Sequence, residues 1–222
     1  MGRRADPRTK LRDARLYLIL ESEAGGVAAA ELAAAAIQGG VDAVQLRDKE
    51  APDERIVAAG RELRAACYAS GALFVVNDRP DLALACGADG VHLGQGDERA
   101  DEVRREFGDD LLIGVSTHSP EQIAAAESSA ADYLGVGPVF ATPTKPGRPP
   151  VGLELVEHAA AHASKPWFAI GGIDAANAPS VVAAGARRLA VVRAIRDASD
   201  PESAARALRA AIERKATVGT PG

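Results

Sequence analysis

The chain has 222 residues, enough for one substantial core, and a formal net charge of −5. That acidic balance argues against general nucleic-acid binding, so an anionic ligand has to be met by local cations. No stretch approaches the ~20 apolar residues of a membrane span, and no secretory apolar segment follows Met1. Cys67 and Cys86 sit at no metal-ligand spacing and read as reduced, buried thiols of a cytoplasmic protein.

Residues 1–14 carry Arg3, Arg4, Arg8, Lys10 and Arg12 and read as a flexible, solvated tail. From there, short apolar runs alternate with helix-length amphipathic stretches. Strands are predicted at Leu16–Leu20, Ala43–Leu46, Leu73–Val76, Gly90–Leu93, Leu112–Val115, Tyr133–Val136, Trp167–Ile170 and Arg188–Val192. Their continuous apolar character suits strands covered on both faces. Helices are predicted near Val27–Gln38, Asp53–Ser70, Asp81–Ala85, Glu98–Phe107, Pro120–Ser129, Leu153–Ala163, Asn177–Ala184 and Pro201–Lys215. Before the fifth of these, Ser119, Pro120 and Gln122 spell a capping box.

A phrase of five residues recurs: Gly40–Val44, Gly87–Val91, Ala130–Leu134 and Gly185–Leu189. The copies lie roughly 45 to 55 residues apart, about the length of two β-α units. Eight strands in strict alternation with helices predict an α/β fold, a single (β/α)8 TIM barrel over residues 15–215, with a second flexible tail at 216–222.

The unusual polar residues follow the strands, and barrel strands converge at their carboxyl ends. Arg47 and Lys49 suit phosphate oxygens, one as a fork and one as a point charge. Asp78 and Asp97 end neighbouring strands and suit Mg2+ shared with a substrate phosphate; each also has a local reading, Asp97 as a helix cap and Asp78 as a turn residue. Gly171-Gly172, with the end of the last strand, offers a second phosphate site. The stretch 137–150 reads as a lid, with Thr142, Thr144 and Lys145 as donors. His92, inside a strand, reads as a core residue, His118 as a rim residue or cap partner, and His158 and His162 as a solvated helix face.

These clusters in this order resemble the thiamine-phosphate synthase family, from about Leu16 to Leu208. The resemblance rests on Gln45 to Lys49, Asn77-Asp78, His92 to Asp97 and Gly135 to Lys145. It implies a (β/α)8 barrel that couples a pyrimidine diphosphate to a thiazole phosphate, with small molecules as its only partners. By this resemblance Gln45, Leu46, Arg47, Asp48, Lys49, Asn77, Ser116 and Lys145 would bind the pyrimidine substrate. Arg47, Lys49, Ser116 and Lys145 would form the catalytic set, and Asp78 and Asp97 would hold Mg2+. Thr142, Pro143, Thr144, Gly172, Val192 and Arg193 would bind the thiazole phosphate. The chain departs from the family where Arg193 replaces a residue that is often Ser, and where Arg187-Arg188 replaces a more usual Asp-Gly. A related thiazole tautomerase would place a His at Pro138 and would leave Lys49, Asp78 and Asp97 without a task.

Overall fold

The structure, a computed structural model, describes residues 6–142 and 149–214. Helix α1 (Pro7–Asp13) leads into β1 (Leu16–Leu20), a small hairpin of β2 (Glu23–Ala24) and β3 (Val27–Ala28), and α2 (Ala29–Gln38). Next come β4 (Ala43–Leu46), α3 (Asp53–Ser70), β5 (Leu73–Asn77), α4 (Pro80–Cys86), β6 (Gly90–Leu93), α5 (Ala100–Phe107) and β7 (Leu112–Thr117). The second half runs α6 (Pro120–Glu127), β8 (Tyr133–Val136), α7 (Gly152–His162), β9 (Trp167–Ile170), α8 (Ala178–Ala183), β10 (Leu189–Val191), α9 (Arg193–Arg196) and α10 (Pro201–Glu213).

Eight strands close into an all-parallel barrel in the order β1-β10-β9-β8-β7-β6-β5-β4, with β4 pairing back to β1. The expected TIM barrel is therefore present. Because side chains alternate across a strand, each strand feeds two cores. Outward residues such as Leu18, Val44, Leu46, Phe74, Val91 and Ile113 pack under the helices. Inward residues, among them Tyr17, Ala43, Leu73, Leu112, Tyr133 and Phe168, fill the barrel. Cys67 and Cys86 are free and buried, and burial pushes the Cys67 thiol up to about 12.

The amino-terminal expectation is corrected over residues 7–13. Asp6 accepts the Arg8 amide at 3.0 Å, Pro7 sits at the first helical position, and α1 forms. Leu11 and Ala14 then pack against the inward residues at the closed end of the barrel. One apolar residue among many charges was a weak signal, yet it plugs the floor. At α6, Ser119 Oγ does accept the Gln122 amide, at 3.3 Å. Gln122 Oε1 instead takes the His118 amide, one residue earlier than a capping box requires, at 2.7 Å.

The recurring phrase has a physical task. Asp42, just ahead of β4, accepts the amides of Arg15 and Leu16 at 2.6 and 3.0 Å, at the start of β1. Asp89, ahead of β6, accepts the Phe74 amide of β5 at 2.9 Å. Asp132, ahead of β8, accepts the Ile113 amide of β7 at 2.8 Å. Each carboxylate thus staples its own strand to the neighbour before it. The fourth copy carries Arg187 at this position, which has no acceptor to offer β9.

Candidate active site

A cavity of about 320 Å³ opens at the carboxyl ends of the strands. Its walls include Gln45, Arg47, Asn77, Ser116, Thr142, Gly172, Val192 and Arg193, so eight of the expected ligand-binding residues meet around one space. Residues distant in sequence converge because parallel strands all end on the same face.

Two expectations are corrected at the side-chain level. Gln45 and Arg47 point inward, so Leu46 between them points outward, where it is 1 % exposed and packs beneath the helices. Asp48 turns into its own loop and accepts the amides of Ser22, Glu50 and Ala51 at 3.1, 3.3 and 3.1 Å. It shapes the loop that carries Lys49 and does not line the cavity. Pro143, Thr144 and Lys145 fall outside the described residues.

Asp78 and Asp97 come together beside the mouth. The Asp78 backbone adopts φ 63°, a left-handed conformation that Asp tolerates better than most residues, and its amide donates to the His92 carbonyl at 2.8 Å. This bend lets its carboxyl reach the Asp97 carboxyl on the next strand's loop. Asp97 Oδ2 accepts the Gly94 amide at 2.6 Å, while α5 begins only after Arg99, so Asp97 closes a loop and does not cap that helix. Lys49 Nζ lies 3.2 Å from Asp78 Oδ2. Burial and the adjacent Asp97 carboxylate raise the Asp78 pKa above the usual carboxylate range, partly offset by Lys49. Two acids forced together around one cation make a site that gains from a further positive charge. Among the described residues no third His, Cys, Asp or Glu joins such a group.

Across the mouth, Gly171 and Gly172 adopt φ of 105° and 64° and approach the loop after β8 closely. A Cβ on Gly171 would stand 2.5 Å from Pro138, and one on Gly172 would stand 2.8 Å from the Ala141 carbonyl oxygen. Only glycine fits both positions. Asn177 fixes this turn, donating to the Gly172 carbonyl at 2.8 Å while its own Oδ1 accepts the Asp174 amide at 3.0 Å. The loop after β8 is stitched to the same turn through Phe140, whose amide donates to the Gly171 carbonyl at 3.0 Å.

Sequence reading overlooked the cavity floor. Tyr17, His92, Tyr133 and Phe168 line it, and His92 faces the barrel interior with both ring nitrogens satisfied, by the Tyr133 and Ser116 hydroxyls. His118 also lines the cavity, with Nδ1 bonded to the Gly137 carbonyl. His158 and His162 stack on each other at 4.2 Å on the exposed face of α7, away from the mouth.

A closed parallel barrel with one polar mouth above an aromatic floor defines the class: a (β/α)8-barrel enzyme with its site at the carboxyl ends of the strands. A family described as thiamine monophosphate synthase matches residues 16–195. The thiamine-phosphate synthase of Mycobacterium bovis is 49 % identical over 215 residues, covering 92 % of this chain and 97 % of the relative. That of Gloeobacter violaceus is 54 % identical over 88 % of this chain, which spans 57 % of that relative's length. A solved thiamine phosphate pyrophosphorylase from Pyrococcus furiosus superposes with a TM-score of 0.83 at 37 % identity, covering 93 % of this chain and 98 % of that one. The chain belongs to the thiamine monophosphate synthase family, whose members are transferases of thiamine biosynthesis.

Proposed function

We propose that this cavity joins 4-amino-2-methyl-5-(diphosphooxymethyl)pyrimidine to a thiazole phosphate, releasing thiamine phosphate and diphosphate. The observation that carries this reading is the pairing of two unlike anion sites on one cavity. On one side Arg47 lines the wall, with Lys49 and the Asp78–Asp97 pair beside the mouth just beyond the lining, and on the other lie Gly172, Val192 and Arg193. One phosphorylated ligand would need only one of these.

Mg2+ fits Asp78 and Asp97. Two adjoining carboxylates, with Asp97 raising the proton affinity of Asp78 and no third protein ligand among the described residues, match an ion that completes its shell with substrate phosphate and water. When bound, it would neutralise charge on the departing diphosphate. The chain's own residues do the rest. Arg47, Lys49 and Lys145 hold the diphosphate oxygens, Gln45, Asn77 and Ser116 hold the pyrimidine, and Thr142 to Thr144, Gly172 and Arg193 hold the thiazole phosphate. The methylene C–O bond breaks, its electron pair leaving with the diphosphate, and the thiazole nitrogen forms the new C–N bond. Aligned donors and a fixed nucleophile supply the rate, and no covalent enzyme intermediate is required. No described helix is long and apolar enough to cross a membrane. With its buried free thiols and small-molecule substrates, the protein is assigned to the cytoplasm, with neither nucleic acid nor membrane as partner.

Mixing the protein with both substrates and Mg2+ and following diphosphate release tests the reading. Release that requires both substrates supports it. Tight binding of both with no diphosphate from a folded protein overturns it.

A further inference from the structure

Five side chains form an unbroken hydrogen-bonded chain across the barrel. Gln45 Nε2 donates to the Tyr17 hydroxyl at 2.9 Å, and that hydroxyl lies 3.0 Å from the Tyr133 hydroxyl. Tyr133 lies 3.2 Å from His92 Nδ1, and His92 Nε2 lies 3.0 Å from Ser116 Oγ. Gln45, Tyr17 and Tyr133 are 2, 3 and 1 % exposed, so water does not compete for these bonds. The barrel is shaped around them. A Cβ on Gly114 would stand 2.2 Å from the Tyr133 ring and 2.5 Å from His92 Nδ1.

Each hydroxyl has one proton, and a neutral imidazole has one donor and one acceptor. Having accepted from Gln45, Tyr17 passes its proton toward Tyr133, and Tyr133 passes its own toward His92 Nδ1. His92 then carries its proton on Nε2 and donates to Ser116. This leaves Gln45 Oε1 as an acceptor and the Ser116 proton as a donor, both on the wall of the cavity. Reversing either end reverses every bond between.

We propose that Tyr17, Tyr133 and His92 are positioning residues that lock the polarity of Gln45 to that of Ser116, so that the cavity selects an aminopyrimidine over its oxo counterpart. The amino compound offers an exocyclic donor and a ring-nitrogen acceptor, which match this wall. The 4-oxo form offers an acceptor and a ring N–H, which oppose it. The selectivity rests on the pyrimidine reading above, whereas the locking of polarity does not.

Two measurements test the parts separately. Nitrogen-15 shifts of the His92 ring in the ligand-free protein are expected to show the Nε2–H tautomer. In Gln45→Glu, whose carboxylate only accepts, the relay reverses and His92 becomes the Nδ1–H tautomer. Adding Tyr17→Phe to that variant breaks the link and abolishes the reversal. The same tautomer in wild type and in folded Gln45→Glu overturns the coupling, whatever the protein's reaction. Calorimetry with 4-amino-5-hydroxymethyl-2-methylpyrimidine and its 4-oxo analogue is expected to favour the amino compound at least about tenfold, since mismatched buried polar groups are strongly rejected. Tyr133→Phe reduces that ratio below about threefold, with magnesium diphosphate affinity unchanged. Equal ratios in wild type and Tyr133→Phe overturn the selectivity. A coupled tautomer with no preference in the wild type would place the failure in the pyrimidine reading.

Discussion

At the scale of single residues, the site trades stability for charge recognition. Asp78 combines a left-handed backbone, burial and a neighbouring carboxylate. A carboxyl whose folded-state pKa is raised stabilises the fold at low pH, and this contribution is lost as pH rises through the raised value. In metal-free protein the charged Asp78 carboxylate therefore opposes folding at neutral pH. Asp97→Asn is expected to raise the melting temperature of metal-free protein at neutral pH while abolishing the stabilisation that added Mg2+ gives the wild type. Calorimetric scans with and without Mg2+ check both, and an unchanged Mg2+ response would remove the metal assignment. Lys49 balances Asp78 without being buried, its side chain 55 % exposed, so Lys49→Ala should leave the fold intact. It is expected to lower kcat by on the order of 100-fold or more, the usual scale for a lost charge-stabilising donor, and steady-state kinetics would show it.

At the scale of elements, α1 is the clearest difference between reading and structure. A single Leu among basic residues carries no periodicity, so its role became visible only once the open floor of the barrel was in place. Leu11→Ala should empty part of that floor and cost about 2–4 kcal/mol of unfolding free energy in denaturant titrations. A change below about 0.5 kcal/mol would show that α1 merely rests on the barrel. The barrel strands, in contrast, were legible almost to the residue, because strands buried on both faces read as continuous apolar runs bounded by small residues. The hairpin β2–β3 was not, since two-residue strands leave no pattern. The mouth of the site was legible through residues that follow strands, including Arg47, Asn77 and Gly172. Its floor was not. Tyr17, His92 and Tyr133 sit inside apolar runs, and only the shared inward alternation of β1, β4, β6, β7 and β8 brings them level with Gln45 and Ser116. The outward side chain of Leu46 and the loop-bound one of Asp48 were hidden for the same reason, since a motif read along the chain does not say which face each member takes.

At the scale of the whole molecule, the internal repeat explains how the barrel closes. Asp42 holds two amides and lies 2.6 Å from Arg209 of α10, tying the last helix to the first seam. Asp132 likewise holds a strand amide and Arg104 of α5, also at 2.6 Å. Removing either carboxylate leaves backbone donors without their acceptor. Asp42→Ala and Asp132→Ala should each cost about 1–3 kcal/mol in chemical unfolding while sparing ligand affinity at the opposite end.

The barrel is thus hooped unevenly. Of the four joints that carry the repeat, three have a carboxylate clasp, while the one that admits β10 has Arg187 where the clasp would be. A closed ring under thermal strain parts first at its least fastened stave. Amide exchange at Trp167 should therefore outpace that at Leu16, Phe74 and Ile113, and Arg187→Asp should slow it toward theirs. At its other end the same strand, β10, runs into Val192 and Arg193 on the cavity wall, so a seam left unclasped at the foot of the barrel and a wall of the cavity at its mouth share one strand.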